Sequence, residues 1–282
     1  MSDPVLERWL VVHPYLRPLA ELCSAVDRAL SSLPLPEAVI PAWESYRADF
    51  GEGVPLLSSD AAVVNLAAVG PLLGALLGKL ETEPLPGPLA AEVLGLSAEL
   101  RQDAGLSPRI VSWLLGDESV EPPSPGLLRF LGWTALARYL RPVVEAFGQW
   151  RDEERWLRRY CPTCGSPPAM GQIAGVDPAR HRLLSCGCCG TRWRYRRTQC
   201  PFCENDAHRV MGLKVEGEPG LRLDHCEACG GYLKTYDGQG QEALLLADWT
   251  SLHLDLLAHR RGLVRQATSL YDVESLAVTP SR

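Results

Sequence analysis

No segment of this chain reads as an export signal or a membrane span. The N-terminus, Met-Ser-Asp-Pro-Val-Leu-Glu-Arg-Trp-Leu, lacks a basic opening, a long apolar stretch and a small-residue cleavage site, so the secretory pattern is missing. The most apolar run, Ala61 to Gly78, is broken by Asn65 and by Gly70-Pro71 and has no flanking aromatic or basic anchors; it reads as a buried central helix. Positive charge is not in excess either. The net charge is -6, and no global field draws the chain to nucleic acid or to an anionic membrane. Charged residues make up 22% and hydrophobic residues 46%, which is globular and not disordered. A chain of 282 residues has room for one to three domains with a proper core. Cysteine is nearly missing outside one window: nine of the ten lie between residues 161 and 229. A chain without an export signal is expected in the cytoplasm, where thiols stay reduced, so disulfides are disfavoured and the crowding points to metal.

Residues 1–158 are expected to form a helical domain. Leu19, Leu22, Cys23, Val26, Leu30 and Leu33 recur at steps of three and four and line one helix face. Cys23 therefore reads as core packing. Ser58-Ser59-Asp60 is expected to cap a helix entering the apolar run at Ala61. Leu136, Leu140, Val143, Phe147 and Trp150 form another stripe, with Pro142 expected to kink it. Proline-rich breaks at residues 33–36, 84–88 and 121–125 divide this half into five or six helices. It holds no catalytic constellation. A helical stretch, Gly148 to Tyr160, is expected to deliver the chain to Cys161.

Beyond it the composition changes to Gly, Arg and Cys, and an internal repeat emerges. Cys161-Pro162-x-Cys164 recurs 39 residues later as Cys200-Pro201-x-Cys203. Arg182-Leu183-x-x-Cys186-x-x-Cys189-Gly190 recurs 40 residues later as Arg222-Leu223-x-x-Cys226-x-x-Cys229-Gly230. Each unit is Cys-x-x-Cys, a spacer of 21 or 22 residues, then Cys-x-x-Cys. A two-residue spacer lets one turn present both sulfurs to one ion, and the longer spacer suits a β-hairpin that brings the second turn opposite the first. The expected ligands are Cys161, Cys164, Cys186 and Cys189 in residues 159–198, and Cys200, Cys203, Cys226 and Cys229 in residues 199–240. Gly165, Gly190 and Gly230 follow three of the second cysteines, where a positive φ is commonly needed.

Competing readings fit less well. Thioredoxin-type redox chemistry needs a strand–turn–helix context that four copies in one window do not share. Cys188 is left as a bystander or a free thiol. Four thiolates suit zinc and rubredoxin-type iron alike. A closed site of either kind has no open position for hydrolysis, so its contribution is folding free energy; iron would add one-electron chemistry. Arg180, Arg182, Arg192, Arg194, Arg196 and Arg197, interleaved with Trp193 and Tyr195, would suit nucleic-acid contact. In a net acidic chain, pairing with acidic groups of this chain or of a protein partner is favoured over that. His225 and His181 lack ligand spacing. After an extended piece, Tyr232 to Tyr236, residues 241–282 should hold a last amphipathic helix with Leu245, Trp249, Leu252, Leu256 and His259 on one face, flanked by Leu254 and Leu257, and then a tail.

The string Cys161-Pro-Thr-Cys164-Gly165-Ser166-Pro167-Pro168 resembles the opening of the metal region of FdhE proteins, accessory proteins of formate dehydrogenase formation. Arg182-x-x-x-Cys186-x-x-Cys189-x-Thr191-x-Trp193-x-x-x-Arg197-x-x-Cys200 is similar to the same family, as are Cys200-Pro201-x-Cys203-x-Asn205 and Cys226-x-x-Cys229-x-x-Tyr232-Leu233-Lys234. Asp248-Trp-Thr-Ser-Leu252-x-Leu254-Asp255-Leu256-Leu257-Ala258 continues the likeness. Before residue 150 it rests only on length and helical character. The resemblance implies a non-enzymatic cytoplasmic maturation factor that acts on the molybdenum-containing catalytic subunit of respiratory formate dehydrogenase before twin-arginine export. It also implies two metal ions, described for the family as rubredoxin-like iron, on the eight paired cysteines. The expected class is α+β: an all-α bundle, two tandem rubredoxin- or zinc-ribbon-like knuckles, and a C-terminal helix.

Overall fold

The computed structural model describes residues 3–270 apart from 104, 118, 120–121, 207–209 and 219. Its helices are α1 (Pro4–Val12), α2 (Arg17–Ser32), α3 (Trp43–Glu52), α4 (Val69–Leu80), α5 (Gly87–Gln102), α6 (Leu106–Leu114) and α7 (Pro125–Trp150). Six strands follow: β1 (Pro168–Ala174), β2 (His181–Cys186), β3 (Arg192–Tyr195), β4 (Val210–Lys214), β5 (Leu221–Cys226) and β6 (Gly231–Asp237). Two short helices, α8 (Glu242–Leu245) and α9 (Leu252–Arg260), and a two-residue strand β7 (Val264–Arg265) close the described chain. The α+β class and its order are as expected. The chain forms two compact units, Met1–Pro41 with Val64–Ala146, and Ala42–Val63 with Phe147–Arg282.

Prolines explain where the helices start. Pro4, Pro18, Pro71, Pro88, Pro108 and Pro125 all fall within the first three residues of a helix, where the missing N–H had no intrahelical partner to lose. Among the described residues, Pro142 alone lies in a helix interior, and α7 continues through it. Prolines thus open six of the seven described helices in this half, α3 being the exception, and seven is one or two more than the sequence suggested.

In the first unit, α4 is the central helix, with Leu72, Leu73, Leu76, Leu77 and Leu80 buried. It begins at Val69, and no helix enters at Ala61. Pro71 fits only a first turn, and Ser59 is used elsewhere: its Oγ donates to Asp49 Oδ2 at 2.5 Å and accepts from the Ala61 N–H at 3.1 Å. The line of α2 that is buried runs through Ala20, Ala25, Val26, Ala29 and Leu30. Leu19, Leu22, Cys23 and Leu33 are half-buried at its margin, because small alanines admit the closest approach of a neighbouring helix. Trp133 Nε1 donates to the Leu114 carbonyl at 2.8 Å, and Tyr139 donates to the Asn65 carbonyl at 2.7 Å. Among the described residues no helix is long and apolar enough to cross a membrane.

The second unit joins an aromatic cluster to the sheet. Phe50 of α3 stacks on Trp156 at 5.3 Å and meets Phe147 edge-on at 6.0 Å. The helix expected through Tyr160 stops at Trp150. Asp152 accepts from the Glu154 N–H at 3.0 Å to make a local turn, and this turn aims Trp156 inward, fully buried.

Both cysteine repeats contribute three strands each to one sheet of order β3-β2-β1-β6-β5-β4, with β7 on β6. Within a repeat the strands are antiparallel; the seam between repeats is parallel, with Met170 opposite Lys234 and Ile173 opposite Asp237. Gly171 permits that seam, since a Cβ there would lie 2.9 Å from Leu233 Cδ2 and Thr235 Oγ1. Every residue of β1 is buried, as a strand covered on both faces requires.

The last amphipathic helix is divided into α8, a 3-10 turn at Asp248–Ser251, and α9. Its buried face is Leu245, Ser251, Leu254, Asp255 and Ala258. Leu252 and Leu256 are half-buried and His259 is exposed, so the expected face is rotated. The reason is Asp255, a charge drawn inward by Lys234 and Arg265, which apolar periodicity cannot register. The tail from residue 271 lies outside the described residues.

Candidate metal centre

The four knuckle turns follow one pattern. Cys161 N donates to the Ser166 carbonyl and Cys200 N to that of Asn205, both at 2.9 Å; Cys186 N donates to Thr191 at 2.9 Å. Gly165 N returns to Cys161 O at 2.9 Å, Glu204 N to Cys200 O at 3.0 Å, and Gly230 N to Cys226 O at 2.8 Å. These bonds force a left-handed residue after the second cysteine. Gly165, Gly190 and Gly230 have φ of 79°, 75° and 68°, as the sequence predicts. The fourth turn places Glu204 there, at φ 60°.

Each repeat thereby brings four sulfurs together. Cys161, Cys164, Cys186 and Cys189 form one group and Cys200, Cys203, Cys226 and Cys229 the other, each with ligand atoms within 4.8 Å of one another. Cys161 Sγ is 3.5 Å from Cys189 Sγ, and Cys164 Sγ is 3.4 Å from Cys186 Sγ. The matching separations in the second group are 3.9 and 3.6 Å. Bonds of roughly 2.3 Å to a tetrahedral ion put sulfurs roughly 3.8 Å apart, whereas a disulfide needs roughly 2.05 Å. All ten cysteines are free. Amides aim at the sulfurs as well: Thr163 N to Cys161, Phe202 N to Cys200 and Gly231 N to Cys229, each at 3.4 Å. The donor set therefore fits a soft, tetrahedral ion, and the two groups could each hold one.

The thiols are electrostatically unequal. Burial pushes Cys161 well up, while hydrogen bonds from Cys161, Cys186, Cys188 and Cys189 hold Cys164 well below the usual thiol range. Burial also raises Cys200, to about 12. Desolvation opposes ionisation of Cys203, but hydrogen bonds from Asn205, Cys229 and Cys226 together outweigh it and bring that thiol down to about 6. Cys188 is buried outside the four-sulfur group, its thiol pushed up by its hydrogen bond to Cys164 and by burial. His181 and His225 lie outside both groups.

The arginines around the first knuckle are engaged. Arg180 pairs with Asp237, Arg194 with Glu154, and Arg192 donates to Gln172. Arg182 is buried, 3.1 Å from the Gln199 carbonyl and 3.6 Å from Asp224. Arg197 reaches the Arg180 carbonyl at 3.5 Å, and Arg196 is exposed. Trp193 and Tyr195 are buried; Trp193 Nε1 donates to Arg158 O at 3.0 Å, and Tyr195 donates to Cys200 O at 3.1 Å. Both rings are buried, and three of the six arginines, Arg180, Arg182 and Arg194, face acidic groups of this chain.

Sequence reasoning missed the polar support. Thr163 and Thr191 hydroxyls meet at 2.7 Å beneath the first group, and Asn205 Nδ2 donates to Cys203 Sγ at 3.4 Å. It also missed a buried charge cluster behind β6. Lys234 Nζ lies 2.6 Å from Asp255 and 2.7 Å from Asp248; Arg265 contacts the same two carboxylates at 2.7 and 2.9 Å, and Tyr232 donates to Asp255 at 2.7 Å. The spacing of these residues carries no period; alternation in β6, which turns Tyr232 and Lys234 to one face, was the available signal.

A helical unit followed by a single sheet built from two duplicated four-cysteine knuckles, each bringing together four sulfurs that could hold an ion, defines the class of protein. The family described as FdhE, central domain, matches residues 160–197. A protein FdhE homolog of Pseudomonas aeruginosa is 32% identical over 275 residues, covering 92% of this chain and 84% of the relative. One of Stutzerimonas stutzeri is 30% identical, with the same coverage of 92% and 84%. The crystal structure of the FdhE protein from Pseudomonas aeruginosa superposes with a TM-score of 0.60 at 26% identity, over 91% of this chain and 88% of that one. The chain belongs to the FdhE family.

Proposed function

We propose that this chain is a non-enzymatic, cytoplasmic accessory factor for assembly of respiratory formate dehydrogenase, binding the catalytic subunit before export. Each knuckle holds one ion, rubredoxin-type iron or zinc, with Cys161, Cys164, Cys186 and Cys189 as ligands of the first and Cys200, Cys203, Cys226 and Cys229 of the second. The observation that carries this reading is family membership along nine-tenths of the chain, joined to eight cysteines gathered in two four-sulfur groups. Bound there, an ion ties two hairpin turns together and supplies folding free energy that a 30-residue ribbon cannot draw from its own core. The client surface is then a property of the folded sheet and helices, not of a reacting group.

Formate-dependent dye reduction in a deletion strain tests the role. The activity falls without the gene and returns with the wild-type chain but not with Cys164→Ser; the catalytic subunit co-purifies with the tagged wild-type chain. Normal formate dehydrogenase assembly in the deletion strain would refute the role. Metal analysis of anaerobically purified protein decides between iron and zinc, and a colourless, zinc-only protein excludes one-electron transfer.

A further inference from the structure

Duplication makes the two knuckles each other's control, and they differ in cover. In the first, Cys161, Cys164, Cys186 and Cys189 are 0%, 9%, 6% and 2% exposed. The chain following α3 lies across it: Leu56 N donates to Pro162 O at 2.9 Å and Leu57 N to Thr163 O at 2.8 Å. Pro55 packs at Gly165, 3.3 Å from where a Cβ would stand. The buried Thr163–Thr191 pair closes the remaining side.

In the second knuckle the equivalent backbone is Pro201-Phe202. Among the described residues no backbone segment pairs with it; the Phe202 carbonyl accepts from the side chain of Arg159. Cys200 and Cys226 are buried, but Cys203 and Cys229 are only half-buried. The neighbours of Cys203, Glu204 and Asn205, are exposed. Glu204 also occupies the left-handed position that glycine fills in the other three turns, a backbone conformation that disfavours an L-residue. Among the described residues, the turn with the least cover is also the strained one.

Resting on the metal reading above, we infer that the second knuckle is an exchange site, whereas the first keeps its ion as long as the chain stays folded. It would pass a soft divalent ion to an incoming thiol or chelator. Each incoming thiol would give up its proton to water as its sulfur replaced one cysteine on the ion, Cys203 first and then Cys229, Cys200 and Cys226, and each displaced cysteine would take a proton from water. No electron changes hands.

The test uses the full chain carrying two equivalents of zinc, challenged with excess EDTA, with released zinc followed over time. One equivalent leaves at least about tenfold faster than the other, as a locally opening segment does relative to a buried one. Cys203→Ser abolishes the fast phase and retains the slow equivalent. Independently of any variant, timed alkylation with N-ethylmaleimide and peptide mass spectrometry should modify Cys203 and Cys229 before the four cysteines of the first knuckle. Release of both equivalents in one phase, or earlier alkylation of the first knuckle, overturns the inference. A chain that takes up no zinc or iron overturns the metal reading beneath it as well, while the deletion-strain result bears on the accessory role alone.

Discussion

Replacing Lys234 with methionine should unfold the C-terminal side of the sheet more readily than any change at the knuckle surface. Lys234 and Asp255 are each 1% exposed, and Asp248 is held by Lys234 and Arg265 together. Two cations face two carboxylates, so the cluster is neutral as it stands. Met keeps most of the stem volume and deletes one charge, leaving a buried net negative charge. Removing one partner of such a pair costs roughly 3–5 kcal/mol. In a unit of this size that corresponds to a melting shift of roughly 6–20 °C. Calorimetry and near-UV circular dichroism on metal-loaded protein give the measurement. The double variant Lys234→Met with Asp255→Asn restores neutrality, since Arg265 still pairs with Asp248, and should regain more than half of the loss. A single variant within roughly 1 kcal/mol of wild type, or a double variant as unstable as the sum of the two singles, would refute the argument.

The same cluster sets an acid limit. Burial alone would raise Asp248, but Lys234 and Arg265 outweigh it and hold its folded pKa below the ordinary 3.8. The stability this contributes is full above 3.8 and is lost as pH falls through the folded value; the slope of stability against pH below roughly 4 should be shallower in Lys234→Met. Gly165→Ala and Gly190→Ala should both lower the melting temperature, because both positions have positive φ and each costs roughly 1–2 kcal/mol. Gly165→Ala should be the worse, since its Cβ meets Pro55 at 3.3 Å while Gly190 faces open space. Arg182→Leu should cost only roughly 1–3 kcal/mol by urea titration, less than Lys234→Met, because Asp224 keeps Arg222 at 2.8 Å and Thr235 at 2.9 Å.

Local chemistry was legible where a residue's role depends on its near neighbours. Cys-x-x-Cys spacing, the glycine after three of the four second cysteines and the 39- and 40-residue repeats determine a turn, a hairpin and a sulfur group without reference to the rest of the molecule. Prolines marked helix starts for the same reason, since the missing N–H matters only within one turn. Faces were read less well. In α2 the buried line follows alanines beside the leucine stripe, and in α9 it follows Asp255. Apolar periodicity reports hydrophobic area, and it is blind to a small residue that admits a neighbour or a charge that has found its partners.

By itself, then, the sequence determined a helical half, two duplicated four-sulfur knuckles and a family signature between residues 160 and 260, because each is a short-range pattern. Tertiary structure alone decided the parallel seam of β1 on β6, the cluster around Lys234, and the cover of one knuckle by residues 55–57 from more than 100 positions away. Those depend on which distant segments meet. Two near-identical sulfur groups acquire different access to solvent only through what the rest of the chain lays over them.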